Sequence, residues 1–165
     1  MRWKLIRNWL IFGRSMVTFK FRAFLDTNVL LDVLSTSERP SSEASEQVFE
    51  AIRSGIFEGF ITTQSIIDAA YILSRQHSRF DREAFGQCIL SMMNYLNINA
   101  IHPFDIRDAV FHGKGDLEDD SLFAHAEALG CDAIITSDRK FRQQKEASGM
   151  LFFTPEAFLA RLRGQ

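Results

Sequence analysis

Short, mainly apolar runs alternate with amphipathic stretches along this chain, and two of the runs lead to an aspartate. Phe19–Leu25 is followed at once by Asp26-Thr27-Asn28, and Ile134-Ile135 by Thr136-Ser137-Asp138. A run with no polar face reads as a strand of a parallel sheet covered on both sides. Further strands are expected over Phe57–Thr62, Ile98–Ile101, Ala133–Thr136 and the shorter Leu151–Phe153. Helical spacing marks Thr27–Leu34, Glu43–Ser54, Thr63–Ser74, Asp81–Asn97, Asp105–Phe111 and Asp116–Leu129. Asp81–Asn97 carries the clearest apolar stripe, with Asp81 as its N-cap. Thr154-Pro155 opens a last helix as cap and first-turn proline. Strands alternating with helices specify an α/β fold: a three-layer α/β/α domain around a mainly parallel sheet of four or five strands. The site of such a sheet lies beyond the carboxyl ends of its strands.

A length of 165 residues suffices for one domain with its own core. Residues 16–165 read as that domain. Residues 1–15 read as an N-terminal extension, either upstream of a native start near Met16 or forming a partner-binding amphipathic helix. Its apolar part is too short to span a bilayer, and no membrane association is expected. The net charge of −2 argues against a broad electrostatic grip on nucleic acid, but not against a nuclease whose site must be acidic. Two cysteines without a CxxC exclude a disulfide framework and a zinc site, and fit a reducing cytoplasm. Nucleotide-binding glycine motifs and a GxSxG elbow are absent.

Four aspartates stand where apolar runs end or are interrupted: Asp26, Asp68, Asp119 and Asp138. Carboxylates gathered in such places repel one another and desolvate badly, and a divalent cation is the usual remedy. Oxygen ligands are hard, which suits Mg²⁺ or Mn²⁺. On a helical wheel Asp119 falls within roughly 30° of the face made by Leu122, Phe123, Ala126 and Leu129, while Asp120 falls about 130° away. Asp119 is therefore expected at the core, and Asp120 in solvent and dispensable. Asp116 reads as an N-cap or as a further ligand. Asp32 is expected on the wet side of a short helix. Thr27, Asn28, Thr136 and Ser137 flank the strand-end acids and read as orienting groups or as turn and cap residues.

These segments resemble the PIN domain, the fold of VapC-type toxin ribonucleases. The resemblance covers roughly Phe21 to Leu162. It rests on Phe24-Leu25-Asp26-Thr27-Asn28-Val29-Leu30-Leu31-Asp32, on Asp116-Leu117-Glu118-Asp119 opening a helix, on Ile134-Ile135-Thr136-Ser137-Asp138, and on Phe153-Thr154-Pro155-Glu156-Ala157-Phe158-Leu159. It implies that Asp26, Asp68, Asp119 and Asp138 hold Mg²⁺ or Mn²⁺ and hydrolyse RNA phosphodiesters. It also implies a small antitoxin partner and a homodimer. Two departures stand out: Asp68 where the family often has Glu, and Lys140-Phe141 where an acid-Phe pair is common. Two other readings stay open. One is a different Mg²⁺ phosphoryl hydrolase, although Asn28 replaces the second acid a haloacid-dehalogenase motif needs. The other is a PIN-like binding module without metal.

Overall fold

The computed structural model describes residues 20–35, 37, 39–76, 80–144 and 148–164. The expectations for residues 1–15, and for a strand beginning at Phe19, lie outside these. The five strands are β1 (Arg22–Leu25), β2 (Glu58–Thr62), β3 (Asn97–Asn99), β4 (Ala133–Ile135) and β5 (Leu151–Phe153). All pairings are parallel, in the order β3-β2-β1-β4-β5. Between them run α1 (Thr27–Leu34), α2 (Ser42–Arg53), α3 (Thr63–Gln76), α4 (Arg82–Met92), α5 (Pro103–His112), α6 (Leu117–Ala128) and α7 (Arg139–Gln144). The helix α8 (Pro155–Leu162) follows β5.

Alternate strand residues supply two cores, as the pleat requires. Ala23, Leu25, Ile61 and Ile135 face one layer, with Val29, Val48, Phe57, Leu73 and Phe158. Phe24, Phe60 and Ile134 face the other, with Leu122, Phe123, Ala126 and Phe141. This is the expected three-layer α/β/α domain. Among the described residues no helix is long and apolar enough to cross a membrane.

Several boundaries differ from expectation, each for a local reason. The helix begun at Asp81 ends at Met92, not Asn97, because the Asn94 amide caps it by donating to the Leu90 and Ser91 carbonyls at 3.3 and 3.1 Å. Its stripe is only partly buried: Met92 is covered, whereas Cys88 and Met93 face solvent. Strand β3 accordingly starts one residue early and ends at Asn99. Helix α5 begins at Pro103 because His102 and Asp105 form a reciprocal capping box. Helix α7 has no counterpart among the expected helices. Asp32 departs from expectation in its burial: it is 4% exposed rather than wet. Its carboxylate accepts from Arg39 Nε at 2.6 Å and from Ser45 Oγ at 3.0 Å, tying α1 to α2.

Candidate active site

The strand order reverses between β1 and β4, and the chain leaves both strands at the same sheet edge. That is the crevice where open parallel sheets place their ligands. Asp26 leaves β1 there and is 6% exposed. It occupies the N-cap position of α1, yet its carboxylate makes no side-chain cap bond to the helix. Instead Oδ2 accepts from Thr136 Oγ1 at 2.6 Å and from Asn28 Nδ2 at 3.3 Å. Thr136, fully buried at the end of β4, also accepts from the Asp138 N–H at 2.9 Å. One threonine thus links the two strand-end acids. Thr27 is buried beside Asp26, whereas Ser137 is exposed and takes no part in these bonds.

Asp138 caps α7. Its Oδ1 accepts from the Lys140 and Phe141 N–H groups at 2.7 and 3.0 Å. Phe141 fills the core below, so an aspartate followed three residues later by a buried aromatic was the available signal for this helix. Asp116 is the N-cap of α6, accepting from the Glu118 N–H at 2.9 Å.

The acids share one field. Burial first, then the charges of Asp138, Asp26, Asp116 and Glu118, push the Asp119 carboxyl up to about 6. Burial likewise raises Asp26, against the pull of its bonds to Thr136 and Asn28. Glu118 is raised by burial and then by Asp68, Asp26 and Asp116. Asp68, half-buried on α3, accepts from Gln64 Nε2 at 2.8 Å and reaches the group through Glu118. Strand ends and apolar spacing do not single out Glu118, although it stands inside the Asp116-Leu117-Glu118-Asp119 motif.

The helical phase of α6 needs correcting. Asp120 is 3% exposed and Asp119 is only half-buried, the reverse of the expected order. Residues 120–126 are all buried, because α6 is covered by α5 as well as by the sheet. A helix packed on two sides has no single wet face from which to read a wheel.

Among the described residues, no group of three or more His, Cys, Asp or Glu side chains stands assembled to hold a metal ion. The donor chemistry still fits one. All the candidates are carboxylates. Burial raises Asp119 and Asp26, and the neighbouring acids add to it. No lysine or arginine among the described residues forms an ion pair with them. Asp26, Asp119 and Asp138 are the residues that would hold the ion.

The model for a family described as PIN domain matches residues 22–140. No curated protein matches the sequence. Among solved structures, the sarcin–ricin-loop-cleaving toxin VapC20 of Mycobacterium tuberculosis is 14% identical with a TM-score of 0.59, covering 78% of this chain and 96% of its own. PAE2754 of Pyrobaculum aerophilum is 21% identical with a TM-score of 0.58, over 88% of this chain and 91% of its own. A toxin–antitoxin complex from Klebsiella pneumoniae contains a chain 22% identical with a TM-score of 0.55, over 81% of this chain and 97% of that one.

Proposed function

The chain belongs to the PIN domain family, and on that premise we propose that it is a divalent-metal-dependent endoribonuclease, the toxin of a toxin–antitoxin pair. The observation that carries the reading is the shared field of Asp26, Asp119 and Asp138 at the switch point of the sheet, with no cation among the described residues to relieve it. The names of two similar structures, a toxin that cleaves the sarcin–ricin loop and a toxin–antitoxin complex, support the substrate and the partner.

Bound Mg²⁺ or Mn²⁺ would lower the pKa of a water and stabilise charge on the phosphoryl oxygens. The chain's own part is orientation. Thr136 and Asn28 hold the Asp26 carboxylate at one angle, and the cap bonds to α7 hold Asp138. Asp119 retains a proton below about pH 6 and releases it near neutrality, when the carboxylate becomes available as a ligand. Glu118 and Asp68 extend the negative field outward. A small antitoxin and a second copy of the chain belong to the same proposal. Phe104, Val110 and Phe111 of α5, each 60–73% exposed, offer apolar surface for such contacts. A cytoplasmic setting completes it.

The rival reading, a PIN-like binding module without metal, is favoured by the lack of a ready-assembled ligand group among the described residues. Assays of RNA and of a phosphomonoester, each with EDTA and with added Mg²⁺ or Mn²⁺, decide between them. RNA cleavage that EDTA abolishes and metal restores supports the nuclease. Phosphatase activity alone points to another hydrolase, and calorimetry showing no Mn²⁺ binding points to the binding module.

A further inference from the structure

The loop joining α5 to α6, Gly113-Lys114-Gly115, leads directly into the acidic cluster and is fixed from behind. The buried Asp120 Oδ2 accepts from the Gly115 N–H at 3.0 Å, and the Gly113 N–H donates to the Ala109 carbonyl at 2.9 Å. A Cβ at Gly113 would lie 2.2 Å from both Ala109 O and Asp120 Oδ2. Glycine there is what lets the carboxylate close on the loop. Lys114 is then the only side chain the loop presents.

Lys114 is exposed and makes no ion pair or hydrogen bond with any described residue. Asp116 follows two residues later, within about 7 Å along the chain. A cation not spent on its acidic neighbours remains available to an incoming anion. The need for one is physical, since a polyanion approaching clustered carboxylates is repelled. An ammonium is a compact charge suited to a single phosphate. Arg139 and Lys140 also flank an acid, Asp138, but the carboxylate that accepts from the Lys140 N–H, at 2.7 Å, is Asp138 itself, a candidate ligand of the ion.

We propose that Lys114 contacts an RNA phosphate at the mouth of the site, and that Asp120 is the positioning residue that fixes the loop carrying it. The inference rests on the ribonuclease reading above. The test is steady-state cleavage of a single-stranded RNA oligonucleotide in Mg²⁺ across a salt series. Lys114→Ala should raise KM about fivefold to tenfold with kcat within about twofold, and lower the salt slope of log KM by about 1. Lys114→Arg should recover most of the loss. Asp120→Ala should raise KM in the same way, while Asp120→Asn, which keeps an acceptor for the Gly115 N–H, should stay close to wild type. Thermal melts check that each variant folds. Unchanged KM and salt slope in Lys114→Ala, beside an active wild type, overturn the Lys114 assignment and leave the ribonuclease reading standing. Equal losses in Asp120→Ala and Asp120→Asn overturn the positioning role. A wild type that cleaves no RNA with any metal overturns both readings.

Discussion

Asp119 sets the pH behaviour expected of the metal-free protein. Its carboxyl titrates near 6 when folded, against an ordinary value of 3.8. A carboxyl raised on folding favours the fold while it is protonated, so its contribution is full below about 3.8 and is lost as pH rises through about 6. Melts in EDTA should therefore show the wild type gaining stability, relative to Asp119→Asn, as pH falls from about 7 towards about 5. Parallel curves for the two proteins would remove Asp119 from the cluster. Asp26 permits a second test. Asp26→Asn relieves repulsion and should stabilise the metal-free protein by up to about 1 kcal/mol. At about a hundredfold excess of Mn²⁺ over its Kd, wild type should gain about 2.7 kcal/mol by mass action and the variant much less. Equal gains would show that Asp26 is not a ligand.

At the scale of elements, buried polar pairs join helices that apolar packing alone would leave free to slide. Asp105 accepts from the His102 N–H and meets His125 Nδ1, both at 2.7 Å, binding the start of α5 to α6. Asp105→Ala would leave the buried His125 ring and the His102 N–H without that acceptor, and chemical denaturation should show a loss of about 2–3 kcal/mol, carried mainly by His125. A loss below about 0.5 kcal/mol would mean that water replaces the carboxylate at little cost. Helix α8 depends instead on aromatic packing. Phe158 is fully buried against Phe21, Phe57 and Phe153, and Phe158→Ala should cost about 3–5 kcal/mol in the same measurement. The two chemistries differ in what the sequence discloses. Phe158 follows a Thr-Pro helix start that is readable by eye, whereas Asp105 and His125 are 20 residues apart and meet only through the α5–α6 hairpin.

For the whole molecule, the net charge of −2 limits how RNA can be held. Few phosphate contacts are expected, so log K against log salt should fall with a slope no steeper than about −3. A much steeper slope would indicate an extended basic surface instead. The sequence by itself determined the parallel α/β architecture, because strands covered on both faces are mainly apolar and most helices between them show one-sided spacing. It also marked Asp26 and Asp138 as strand-end acids, since each follows an apolar run at once or within a few residues. What only the tertiary structure decided was which acids face which. The order β3-β2-β1-β4-β5 makes neighbours of two strands far apart in the chain and lets Thr136 bond to Asp26, 110 residues away. Packing of α5 over α6 buries Asp120, against the phase read from its own helix, and Arg39 draws Asp32 out of solvent. Periodicity reports the partner on one side of an element. A second partner, brought in from a distant part of the chain, leaves no trace in the spacing of the residues it covers.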